Sequence, residues 1–400
     1  MIMKNRKTGI WPKIRRVINE IHLWLGIASG LIIFVVCLSG TIYTFSDEIQ
    51  RFLEPSRYKV NGPIGDSKLP IAQLILQLEK DNDGKVTTIN IPAKPDETYQ
   101  FTLLKKDEKG RGTGFSLDPY SGQVTASGEA VGSVFFMKMF RLHRWLLLDT
   151  SIGRPIVGWA TVIFTLLILT GMCIWIPQKV RYWKQGLKIK FDSNWKRINH
   201  DLHNTLGFYA AFLMLVMSLT GLYWSFDWYK SGLYSIFQVE QPKGRGGRPP
   251  MAEAKKGEKV EKETSPIDIA LLPWEQYLEK ANERLSYPGN FRISIPEASD
   301  KSINLSKTRT GFFASAAGDK IILDKASAEI LEVDIFRDKP LNERVMGSIK
   351  ALHVGNVFGT FSKILYFISC LIATSLPVSG TIIWINKLRK KSKRKGAVLA

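Results

Sequence analysis

"HLWLGIASGLIIFVVCLSG" (22–40) and "HNTLGFYAAFLMLVMSLTG" (203–221) align without a gap, and each sets a histidine at the head of a long uncharged stretch. About 20 consecutive apolar residues are what the hydrocarbon core of a bilayer asks of a helix. Four stretches meet that demand, 23–45, 155–176, 206–226 and 364–385, and none contains Asp, Glu, Lys or Arg. The first is longer than the roughly 7–15 apolar residues of a secretory signal and lacks a small-x-small cleavage site, so it reads as a retained span. The expected fold is a membrane four-helix bundle with a lipid bilayer as its solvent.

The net charge of +20 invites a nucleic-acid reading, but its distribution argues for a membrane. Residues 1–21, 178–200 and 386–400 together hold eighteen of the twenty net positive charges, and all three fall on one side of a four-span chain. An excess of Lys and Arg marks the cytoplasmic side, so both termini are expected there and no nucleic-acid partner is expected. Residues 46–132 and 227–345 then lie outside. The three cysteines, Cys37, Cys173 and Cys370, all sit within spans and suggest no disulfide framework. No C-x-x-C-H occurs, so any haem would be held non-covalently.

The expected order is a basic N-terminus (1–21), a span (22–45), a lobe (46–132), and an interfacial helix with the second span (133–177). A cytoplasmic loop (178–200), the third span (201–226), a second lobe (227–345), an interfacial helix with the last span (346–385) and a basic tail (386–400) follow. The lobes echo each other. "TTINIPAKPDETYQFTLL" with "FSLDPYSGQVTAS" parallels "FRISIPEASDKSINLSK" with "IILDKASAEILEV", each pair giving alternating strands around an Asp-led turn. Each set follows an amphipathic helical stretch, 69–80 or 267–285, so two small α+β lobes and an internal two-fold sequence repeat are expected. Gly, Pro and charge dominate 241–265, which reads as a disordered linker.

At 100° per residue, offsets of 4, 8, 15 and 18 from each leading histidine fall on its side of the helix. Those positions are Gly26, Gly30, Cys37 and Gly40 below His22, and Gly207, Ala211, Ser218 and Gly221 below His203. Small residues alone could serve close helix packing. The matching histidines favour a flat ligand between the helices.

The chain has five histidines, all beside or close to spans. Imidazole is a common axial ligand of haem iron, and polar groups at membrane depth tend to be functional. Topology sorts them into His22 and His203 at cytoplasmic span ends and His143 and His353 near external ends. The expectation is two non-covalent, bis-histidine b haems, one near each face. His200 aligns with Asn19 rather than with His22, so a solvated or supporting role is favoured over ligation. Gly153-Arg154-Pro155 is expected to break the helix after His143, and Arg144 and Arg154 could pair with haem propionates or simply snorkel. A metal site without haem would want carboxylates beside the histidines, and the spans hold none.

"DPYSGQV", the H-x-x-x-G spans ending in Ser/Thr-Gly, "LHRW…GRPIVGW…TGMCIWIP", "HDLHNTLGF" and the final "LH…SGTIIW" together resemble the PepSY-associated transmembrane helix family over essentially the full length. The resemblance implies a multi-pass bacterial inner-membrane protein linked to iron acquisition, with relatives that are di-haem reductases of ferric siderophores. It carries the haem-ligand role to His22, His143, His203 and His353. Some relatives append a flavin and nicotinamide module. This chain shows none, so a quinol or a cytoplasmic reductase is the expected donor and a ferric siderophore or other ferric chelate the expected acceptor. The rivals are a ligand-binding or sensor protein without redox activity and a haem or iron transporter.

Overall fold

The computed structural model describes residues 10–62, 64–65, 67–105, 110, 112–177, 180–241, 272–297 and 299–399. The linker expected at 241–265 lies, apart from Gln241, outside these residues, as do residues 1–9 of the basic N-terminus. The elements run α1 (Ile10–Thr44), α2 (Ser46–Leu53), α3 (Ile71–Asn82), β1 (Gly84–Ile91), β2 (Tyr99–Lys105), β3 (Thr113–Leu117), β4 (Val124–Ser127), α4 (Ser133–Trp145) and α5 (Thr150–Trp175). They continue α6 (Trp195–Asp201), α7 (Gly207–Ser225), α8 (Asp227–Ile236), α9 (Trp274–Arg284), β5 (Gly289–Ser294), β6 (Ser302–Arg309), β7 (Gly318–Asp324), β8 (Ile330–Asp334), α10 (Leu341–Gly347), α11 (Ile349–Val354) and α12 (Gly359–Leu399).

Four helical segments, Ile10–Thr44, Thr150–Trp175, Trp195–Ser225 and Gly359–Lys390, are long and apolar enough to cross a membrane. They include the four uncharged stretches almost entirely. In the bundle α1 packs on α12 and α5, while α7 packs on α5 and α12. Small polar residues make these crossings. Ser29, Ser39, Thr41 and Ser218 are buried, and each hydroxyl donates to a carbonyl three or four residues earlier in its own helix. None of these four hydroxyls is left without an acceptor, and the backbones can approach closely.

The two lobes are not separate. They form one antiparallel sheet of eight strands in the order β4-β3-β2-β1-β5-β6-β7-β8, with α3 and α9 over one apolar face. Each α+β unit of four strands leaves the outer edge of its first strand unpaired, and an unpaired edge is a template for another strand. Here β1 and β5 satisfy each other, with Ile89 opposite Ile293 and Thr88 opposite Ser294. Period-2 alternation carries the core across this seam: Phe291 and Ile293 are buried while Asn290, Arg292 and Ser294 are exposed. The helices are joined as well, since the Glu275 carboxylate accepts from the Ile71 backbone N–H at 2.9 Å. The Asp-led turns behave as the sequence suggests. Asp118 accepts from Tyr120 N and Ser121 Oγ, both at 2.8 Å, and Asp324 accepts from Ala326 N and Ser327 N at 2.8 and 2.9 Å.

Gly153-Arg154-Pro155 does not break a helix. Pro155 lies within the first turns of α5, which starts from an Asp149 cap that accepts from Ser151 N. The chain instead turns at Leu146 and Leu147, both in the left-handed region with φ of 55° and 60°. Gly153 is needed for another reason, because a Cβ there would lie 2.0 Å from the Trp145 carbonyl oxygen. Its glycine lets the start of α5 fold tightly back on the end of α4.

Candidate functional site

α1 presents His22 and the helix leading into α7 presents His203, and their ring centres are 6.5 Å apart. At the end of the bundle nearer the sheet, His143 on α4 and His353 on α11 lie with ring centres 6.0 Å apart. Both pairs therefore join the first half of the chain to the second.

Each ring is seated in the same way on a neighbouring helix. His22 Nδ1 lies 2.9 Å from Thr170 Oγ1 on α5, and a Cβ at Gly171 would come within 3.3 Å of its Cε1. His203 Nδ1 lies 2.9 Å from Ser379 Oγ on α12, with the position of a Gly380 Cβ 3.2 Å from its Cε1. His353 Nδ1 meets Thr220 Oγ1 at 3.1 Å and the Met217 carbonyl at 3.0 Å on α7, beside Gly221. His143 Nδ1 meets the Val36 carbonyl at 2.8 Å on α1, where a Gly40 Cβ would lie only 2.9 Å from the ring. Every seat is a Ser/Thr-Gly dipeptide, and for His143 and His353 the carbonyl four residues before the glycine takes part.

The seats fix the proton. Thr170, Ser379 and Thr220 spend their hydroxyl protons on carbonyls of their own helices, at 2.7, 3.0 and 2.6 Å, so towards a histidine they can only accept. Backbone carbonyls also only accept. Nδ1 must carry the hydrogen in all four rings, which leaves each Nε2 with a lone pair. Among the described residues no hydrogen bond engages any of these four Nε2 atoms.

A cavity of about 260 Å³ opens beside the first pair, lined by His22, Gly26 and Gly30 of one half and by His203, Gly207 and Ala211 of the other. Asn19 and His200 lie at corresponding places in its wall, as their alignment suggests. His200 is mostly exposed, with Nδ1 3.6 Å from Asp201. A π-helical turn, Leu202–Leu206, carries His203. Such a turn shifts the register of the side chains after it and recurs at functional sites.

One expectation is corrected. Gly40 and Gly221 do not share a ligand surface with His22 and His203; they seat His143 and His353. Eighteen residues of helix rise about 27 Å, so those glycines lie at the opposite end of the span from their own histidine. Arg154 is engaged by the protein, with Nε donating to the Trp224 carbonyl at 2.7 Å and Nη2 3.5 Å from Asp227. Arg144 lies over the Trp145 ring at 5.0 Å. What sequence reasoning overlooks is the partner of each imidazole. The signal was present, since each span carries a Ser/Thr-Gly near an end, 39–40, 170–171, 220–221 and 379–380, the first span having another at 29–30.

A porphyrin iron would accept such donors. The four imidazoles form two close pairs, and each pair offers one ring from either half of the chain. The glycine-walled cavity gives a flat group room. No curated protein matches the sequence. The family described as "PepSY-associated TM region" matches residues 20–387, nearly the whole chain, and the protein belongs to that family.

Proposed function

We propose that this protein carries electrons through the bilayer on two b haems and reduces a ferric chelate, such as a ferric siderophore, on the sheet side of a bacterial inner membrane. The observation that carries this reading is the two facing histidine pairs, at 6.5 and 6.0 Å, each with Nδ1 bound and Nε2 left as a lone pair. His22 and His203 would hold one haem and His143 and His353 the other. Haem bound there supplies a one-electron ferric/ferrous couple, whose potential depends on ligands and burial.

The chain's own contribution is placement. The imidazoles fix where the two couples sit, and the apolar bundle keeps water from between them. Lys387 at the wall of the first cavity offers a cation for haem carboxylates. The internal two-fold repeat is supported by the matched cavity lining, by the mirrored strand order and by seats that recur in both halves. Eighteen of the twenty net positive charges on one side support cytoplasmic termini, which leaves the sheet outside. Electrons would then enter from quinol or a cytoplasmic reductase.

Sealed vesicles of known orientation test this directly. With the protein reduced by dithionite, a ferric chelate added on the sheet side is expected to reoxidise it, with ferrous iron appearing in a chromogenic trap. Reduced protein that stays reduced with several ferric siderophores, yet is oxidised rapidly by a quinone, would count against the acceptor and point to quinone-linked chemistry.

A further inference from the structure

We propose that Thr170, Ser379 and Thr220, with their following glycines Gly171, Gly380 and Gly221, are positioning residues that set the ligand strength of His22, His203 and His353, whereas Ser39 plays no such part for His143. The inference rests on the haem reading above and goes beyond it, since it assigns roles to residues that touch no iron.

The argument begins with the seats' common plan. In each, the glycine lets an imidazole lie against the helix, and for His143 and His353 the carbonyl four residues earlier accepts from Nδ1–H. Three seats offer a hydroxyl as acceptor for the Nδ1 proton, at 2.9, 2.9 and 3.1 Å. The fourth does not. Ser39 Oγ donates to the Val35 and Val36 carbonyls at 2.7 and 3.0 Å and makes no bond to His143. A ligating histidine whose other N–H is held by an acceptor is a more basic ligand, and loss of that acceptor weakens it. A more basic axial ligand favours ferric over ferrous iron, so each hydroxyl should hold its haem at lower potential.

The arrangement also crosses over within each half. His22 on α1 sits on α5, while His143, just before α5, sits on α1. His203, at the head of α7, sits on α12, while His353, just before α12, sits on α7. Each half thereby orients one ligand for either haem, and neither haem can be oriented by one half alone.

The test is a redox titration of the full-length detergent-purified protein, followed at the haem bands, with haem content measured in parallel. Thr170→Val, Ser379→Ala and Thr220→Val should each keep two haems and move one wave to higher potential. The first two should move the same wave and Thr220→Val the other. Thr170→Ser should restore the wild-type value, and Ser39→Ala should change neither wave. Gly171→Ala, Gly380→Ala and Gly221→Ala should each weaken or remove only their own haem. Two unshifted waves in all three hydroxyl variants would overturn the proposal while leaving the haem reading intact. A wild-type protein that binds no haem would overturn both.

Discussion

Replacing His22 or His203 with alanine is expected to lower haem content from two per chain to one, with the remaining haem retaining its spectrum. His143→Ala and His353→Ala are expected to remove the other haem. The pairing follows from ring separations of 6.5 Å for His22 with His203 and 6.0 Å for His143 with His353. In each pair, an imidazole without its partner would hold a haem from one side only. His200→Ala should cost far less, because that ring is mostly exposed and faces Asp201. Difference spectra of each variant check the scheme. It is wrong if His22→Ala and His353→Ala abolish the same haem, and the choice of His203 is wrong if His200→Ala is equally damaging.

A second large effect is expected in the sheet. Ile293 is fully buried on β5 and lies opposite Ile89, itself fully buried, across the seam that joins the two α+β units. Truncation to alanine removes apolar contacts from a core that includes Leu74 and Leu78 of α3 and Tyr277 and Ala281 of α9. Ile293→Ala should therefore destabilise the sheet by about 2–5 kcal/mol. Limited proteolysis under mild denaturant should show both units becoming susceptible together, with the haem bands little changed. Loss of protection confined to β5–β8 would mean that the seam does not couple the units.

Much of this architecture is legible in the sequence because it rests on local patterns. Uncharged stretches of about 20 residues specify spans, and period-2 strands with Asp-led turns specify the α+β units. The union of those units is not legible. β1 and β5 are some two hundred residues apart, and nothing in an edge strand such as "KVTTINI" names the edge it will meet. The histidines stand out by their scarcity, whereas their seats do not. Ser39-Gly40 or Thr170-Gly171 reads as ordinary small-residue packing until the neighbouring helix is in place. The offset rule also misled for Gly40 and Gly221, because it gives direction around the axis and neglects about 27 Å of rise along it. Gly153 and Pro155 look like a break by composition. The preceding turn at Leu146 and Leu147, where non-glycine residues adopt positive φ, is what separates α4 from α5.

The most direct test of the central claim is the haem stoichiometry of the intact protein purified in detergent from haem-replete cells, by pyridine haemochrome assay together with iron content. The account predicts two non-covalent b haems per chain, both low-spin with bis-imidazole signatures in the oxidised state. A folded, monodisperse preparation without haem would contradict it.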